Sequence, residues 1–188
     1  MTGNLAIATN EDINDLSALK NALGPYAKDI KLNLSAVLRE DPGSSLSAKQ
    51  IAGIALASAY ATKHPDVINA ILGEVSGKLD DAEINAAKAA ATMMAMNNVY
   101  YRFVHLGSDK EYAKMAAGLR MNVVGNPGIE KVDFELYSLA VSAINGCGMC
   151  IDAHVMQVEK AGVSKTGIQH TIRIASVLTA SAQALIIG

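Results

Sequence analysis

The sequence has no tryptophan, and aromatic residues fill only 4% of its 188 positions. That scarcity argues against a platform for single-stranded nucleic acid, which stacks successive bases on aromatic faces. Charged residues are also few, at 18%, with a formal net charge of -2 and no basic run. Duplex DNA and anionic membranes both reward a positive face, so neither is an expected partner. Two cysteines cannot build the disulfide framework of a small secreted domain. The first ten residues lack a basic n-region and a continuous apolar h-region, so no signal peptide is expected. The most apolar stretch, Ile174 to Ile187, is interrupted by Ser176, Thr179, Ser181 and Gln183. It is also shorter than the roughly 20 residues of a spanning helix. The expectation is a soluble cytoplasmic protein.

Hydrophobic residues make up 51% of the chain, ample for a core and incompatible with a disordered chain. The length suits a single domain over residues 1–188. The pattern predicts helices throughout, an all-α fold. Asn10-Glu-Asp-Ile precedes a short amphipathic run from Leu16 to Leu23, and Pro25 suits a first helical position. A helix follows from Tyr26 to Arg39, then a loop at Asp41-Pro-Gly-Ser-Ser. Ser47 and Gln50 have the form of a capping box, opening an Ala-rich helix to about Thr62. His64-Pro65 starts a short helix to about Val75, stopped by Gly77. Asp80 and Glu83 open a long helix to about Val104, which carries Met93, Met94 and Met96. Ser108-Asp-Lys-Glu111 caps a short helix, and 122–128 reads as a loop. Val132 to Ile144 forms a helix ended by Asn145-Gly146. Two more follow, from Cys147 to Ala161 and from Ser164 to Ile187. No alternating β-branched run is bounded by turns.

Residues 50–100 and 135–185 follow the same plan: an apolar helix, a break, a second helix ending at Gly, and a capped long helix. Gly77 pairs with Gly162, Asp80 with Ser164, and Ile84 with Ile168 after one gap. This suggests repeat halves at about 47–104 and 132–188, although residue identity is poor and two helical hairpins can agree by chance. Only the second half carries cysteines.

The chemistry-bearing residues lie between Glu135 and His154. Cys147-x-x-Cys150 sets two thiols one helical turn apart, and His154 follows four residues on. At ~100° per residue all three fall on one face if the helix starts at Cys147. Unpaired N–H groups in the opening turn favour a thiolate there. His154 can take the proton of Cys150, and Cys147 can close a disulfide on a sulfenic acid formed at Cys150. Two other readings stay open. One is a zinc site, which needs four ligands, with His154 as a third and His170 an ambiguous fourth. The other is a pair of inert buried thiols. By pattern alone Glu135 reads as an acidic residue favoured by a helix N-terminus. His64, His105 and His170 read as structural, and the Met cluster as core or subunit packing. Apolar surface around Met93 to Tyr101 and Ile174 to Ile187 predicts subunit contacts.

The segment Glu135, Ala143-Ile-Asn-Gly-Cys147-Gly-Met-Cys150-Ile-Asp-Ala-His154, Glu159 and Gly162-Val163 resembles the alkylhydroperoxidase D family, AhpD, of the carboxymuconolactone decarboxylase-like superfamily. Leu5-Ala and the region 45–61 are similar too, so the resemblance spans essentially the whole chain. It implies an all-helical fold with internally similar halves and a homotrimer. It also implies reduction of organic hydroperoxides and of the oxidised peroxiredoxin AhpC. Electrons would come from a dihydrolipoyl group on an acyltransferase, recharged by lipoamide dehydrogenase and NADH, with no bound metal, haem or flavin. By resemblance, Cys150 is the peroxide-attacking cysteine and Cys147 its proton-donating and disulfide-forming partner. His154 and Glu135 are the proton-relay residues. Some members of the family, such as the mycobacterial protein, carry a His immediately before the second Cys, where this sequence has Met149. A protein-disulfide reductase with little direct peroxidase activity is the alternative within the same chemistry. A zinc-binding or structural module is the alternative outside it.

Overall fold

The computed structural model describes residues 13–188, which form helices and turns with no strand among them. The segment Asn10-Glu-Asp and the similarity at Leu5-Ala lie outside these residues. The helices are α1 (Leu16–Ala22), α2 (Lys28–Val37), α3 (Ala48–Thr62), α4 (Pro65–Glu74), α5 (Asp81–Leu106), α6 (Asn122–Gly125), α7 (Lys131–Ile144), α8 (Gly148–Lys160) and α9 (Lys165–Ile187). Single 3-10 turns occupy Pro25–Ala27 and Lys110–Lys114.

Side-chain chemistry explains where the main helices begin. Ser47 accepts the Gln50 N–H at 3.2 Å, and the Gln50 side chain accepts the Ser47 N–H at 3.0 Å, so α3 opens on a complete capping box. Asp80 and Glu83 repeat the device at α5, at 2.9 and 3.0 Å. Ser164 caps α9 through the Gly167 N–H. Gly77 and Gly162 take φ of +76 and +91 after α4 and α8, a conformation that a Cβ disfavours. The halves thus share their helix order: α3, α4 and α5 in one, α7, α8 and α9 in the other.

Three local expectations change. Pro25 opens a 3-10 turn that runs into α2, not an α-helix from Tyr26. Asp109 rather than Ser108 caps the segment at 110–114, accepting the Glu111 N–H, and it coils as 3-10. Residues 122–125 wind one helical turn where Gly and Pro predicted a loop.

α3 and α7 form the centre. Every residue from Ile51 to Ala59 is buried, because α3 packs against α4, α5, α7 and α9. α7 buries Asp133 to Ser142 between α3, α5, α8 and α9. Gly53 makes the α3–α7 approach possible, since a Cβ there would stand 1.9 Å from the Tyr137 hydroxyl oxygen. α9 is 23 residues long and apolar enough by length and composition to cross a membrane, longer than the apolar stretch predicted. In this fold it is a core helix, with Ile174, Ala175, Leu178 and Ala182 buried and its contacts on α2, α3 and α7.

Candidate active site

α7 ends at Asn145, and Gly146 at φ +68 reverses the chain. The Cys147 N–H then returns to the Ser142 carbonyl at 3.1 Å, and the Cys147 carbonyl accepts the Ile151 N–H at 2.9 Å. Cys147 is therefore the extended N-cap of α8 rather than its first helical residue. α8 lies against α7 and α5. This packing brings Glu135 from α7 and Met94 and Asn98 from α5 to the face of α8 that carries Cys150 and His154.

Both cysteines are free thiols and both are buried, Cys147 completely and Cys150 at 7% exposure. Burial pushes the Cys150 thiol up from 9.0 to about 12, the Cys147 hydrogen bond adds to the rise, and Asn98 opposes it. Cys150 is therefore not a ready thiolate at neutral pH. Its desolvation costs more than the opening turn of α8 returns.

Glu135 and His154, 19 residues apart in sequence, meet with Nδ1 of the imidazole 2.6 Å from Oε2 of the carboxylate. Both side chains are buried. Nε2 of His154 lies 3.3 Å from the Met94 sulfur. The imidazole thus contacts the carboxylate and a thioether. A cavity of about 240 Å³ joins the two centres, lined by Met94, Asn97 and Tyr101, by Met121 and Val124, and by Met149, Cys150, Ala153 and His154. Three thioethers make its walls mainly apolar. Met149 is one of the three.

The other histidines stand elsewhere. His170 Nε2 lies 2.8 Å from the Val37 carbonyl, His64 is buried at the start of α4, and His105 is exposed. Among the described residues no three His, Cys, Asp or Glu side chains gather as ligands of one metal ion. The Met cluster divides: Met94 enters the core and touches His154, while Met93 and Met96 are half-buried.

Asn98 and Asn145 were not singled out from the sequence. Asn145 donates its amide to Asn98 Oδ1 at 2.9 Å, and Asn98 donates to Ser142 Oγ at 3.0 Å. A signal for Asn98 does exist. Ala87, Ala90 and Met94 form the buried stripe of α5, and Asn98 continues it one turn after Met94. A polar residue on a core stripe needs buried partners. Met121 and Val124 have no such signal, because the chain between α5 and α7 reaches the cavity only in three dimensions.

Comparison with known proteins agrees with this site. The Carboxymuconolactone decarboxylase family matches residues 110–185. The chain is 59% identical over 172 residues to "Alkyl hydroperoxide reductase AhpD" of Coxiella burnetii (strain RSA 493 / Nine Mile phase I), covering 92% of this chain and 97% of that one. Identity is 54% over 170 residues with the protein of the same name from Rhodospirillum centenum, covering 90% of each chain. With that of Brucella melitensis biotype 1 it is 52% over 167 residues, covering 89% of this chain and 94% of the other. At this identity, over nearly its whole length, the chain belongs to the AhpD family.

Proposed function

We propose that this protein is a thiol-dependent peroxidase that reduces organic hydroperoxides through Cys150 and Cys147. The observation that carries the reading is one apolar cavity lined by both Cys150 and His154, with Glu135 behind the imidazole at 2.6 Å and Cys147 buried at the start of the same helix. An ionised Glu135 accepts the Nδ1 proton of His154, which makes Nε2 the basic nitrogen. Nε2 and Cys150 line the same cavity, so a hydroperoxide or water held between them can carry the proton. A buried thiol with a high pKa needs such a base at the moment of attack.

In the first step the Cys150 sulfur attacks the distal peroxide oxygen and the O–O bond breaks. ROOH leaves as ROH, and Cys150 becomes a sulfenic acid. In the second, Cys147 displaces that hydroxyl as water and the S–S bond forms. In the third, a dihydrolipoyl dithiol opens the disulfide by two exchanges and departs as the cyclic disulfide. The donor would be a lipoyl-bearing acyltransferase served by lipoamide dehydrogenase, and the peroxiredoxin AhpC would be a protein substrate of the same dithiol. Residence in the cytoplasm fits a pair that must return to the reduced state.

We also propose a homotrimer. Val99, Phe103 and Leu106 stand exposed on one face of α5 at helical spacing, and Phe103 packs edge-on to Tyr112 with ring centroids 5.0 Å apart. This patch overlaps the predicted Met93–Tyr101 at Val99 and continues beyond it to Leu106.

The test is an NADH-coupled assay with lipoamide and lipoamide dehydrogenase, offering cumene hydroperoxide or an oxidised peroxiredoxin. Turnover of the hydroperoxide supports the peroxidase reading. Turnover of the protein disulfide alone replaces it with a disulfide reductase.

A further inference from the structure

Asn97 lines the cavity from α5, between Met94 one turn before it and Tyr101 one turn after, and only 6% of it is exposed. Its Oδ1 is buried and meets no donor among the described residues. A desolvated acceptor without a donor costs folding stability, and such an atom in a native core calls for an explanation. Asparagine is also a weak helix former, here in the middle of a long helix. Its neighbour Asn98 shows how this fold satisfies a structural asparagine, with bonds to Ser142 and Asn145 at 3.0 and 2.9 Å. Asn97 Oδ1 has no such bond, and Asn97 belongs to the wall that Cys150 and His154 share. In that wall the imidazole is already held, by Glu135 at Nδ1 and against the Met94 sulfur at Nε2.

A hydroperoxide entering this mainly apolar cavity brings one donor, its terminal O–H, which needs an acceptor once water is left behind. We propose that Asn97 is a substrate-binding residue of this site, its Oδ1 accepting that O–H and placing the distal oxygen before the Cys150 sulfur. The proposal rests on the peroxidase reading. The distal oxygen keeps its hydrogen through the attack. The S–O bond forms as the O–O bond breaks, the thiol proton passes through His154 to the departing alkoxide, and ROH leaves. Cys150 ends as S–O–H, with the same O–H on Asn97. The contact is thus present in substrate, transition state and sulfenic acid, and its effect is on how well the peroxide is held and aimed. It favours hydroperoxides over dialkyl peroxides, which carry no donor.

The test compares the unsubstituted protein with Asn97→Leu, close in size but without an acceptor. Oxidation of reduced Cys150 by cumene hydroperoxide should slow about two- to tenfold, the worth of one neutral hydrogen bond. Methyl methanethiosulfonate, a thiol-directed electrophile with no O–H or N–H, should modify Cys150 within about twofold of the unsubstituted rate, resolved from Cys147 by peptide mass spectrometry. The urea midpoint should hold or rise, because an unsatisfied acceptor has left the core. Equal slowing with both reagents, or none with the hydroperoxide, overturns the proposal. If Asn97→Leu does not fold, Cys150→Ser keeps Asn97, cannot reduce the peroxide, and decides by NMR. Cumene hydroperoxide should shift its Asn97 side-chain resonances, and isopropylbenzene, the same hydrocarbon without the hydroperoxy group, should move them far less. Equal shifts with both, or none with either, overturn the proposal. Binding requires no turnover. Asn97 shifts in a protein whose unsubstituted form does not reduce hydroperoxides would refute the peroxidase reading and leave this one standing. Turnover without an Asn97 effect would do the reverse.

Discussion

Burial of Cys150 makes a quantitative prediction about how the protein handles two electrophiles. The thiol sits at about 12, against 9.0 for a free one. Three units lower the thiolate population about a thousandfold at any pH well below both values. The thiolate that does form is more basic, and a Brønsted slope of about 0.4–0.5 returns about 15- to 30-fold in intrinsic reactivity. Iodoacetamide, which carries no proton acceptor of its own, should therefore alkylate Cys150 about 30- to 60-fold more slowly than it alkylates a free cysteine peptide. That rate should climb about tenfold per pH unit from 7 to 10 with no plateau, because the midpoint lies higher. The peroxide reaction should not follow the same line. Where His154 removes the proton during attack, oxidation of Cys150 should be flatter with pH and faster near neutrality than the thiolate population permits. In His154→Phe the peroxide rate should fall by about 10²–10⁴-fold near pH 7. The loss should shrink as pH rises and hydroxide does the deprotonation. The assay is stopped-flow oxidation of the reduced protein beside site-resolved alkylation over the same pH range. An alkylation plateau with a midpoint below pH 8 would refute the reasoning, since burial would then not control the thiol. Parallel peroxide profiles in wild type and His154→Phe would return the imidazole to a packing role.

Glu135→Gln keeps the shape of the partner but removes the charge that orients His154, so peroxide reduction should slow in the same direction as His154→Phe and less severely, read as kcat/KM at pH 7. Cys147→Ser should accept one oxidising equivalent and stall as a sulfenic acid on Cys150, whereas Cys150→Ser should not react at a comparable rate; a sulfenic-acid trap and mass spectrometry distinguish them. Gly53→Ala drives a methyl into the Tyr137 hydroxyl, 1.9 Å away, and should cost about 1–3 kcal/mol in urea unfolding. Phe103→Asp should weaken self-association without changing helix content, checked by light scattering and circular dichroism; a wild-type monomer at micromolar concentration would contradict the trimer.

The sequence alone determined the helices and most of their ends, because capping and termination are local. Ser47 with Gln50, Asp80 with Glu83, and Gly77 and Gly162 each act within a few residues of themselves, so their signals survive without tertiary context. It also determined that Cys147, Cys150 and His154 share one helical stretch. The weaker local signals misled at Pro25, Ser108 and 122–128, where single residues choose between α, 3-10 and loop by small margins. Tertiary structure decided the rest. Glu135 reaches His154 because α8 folds back on α7, and only then does this carboxylate, the fifth residue of α7 and past its first turn, become a partner of an imidazole. Burial depth decided the state of Cys150, since desolvation depends on what the neighbouring helices place around the sulfur. Met94 entered the site from α5, through a contact between α5 and α8 that no sequence period encodes. Period and spacing act along one helix, whereas a cavity is made of the faces that several helices turn toward each other.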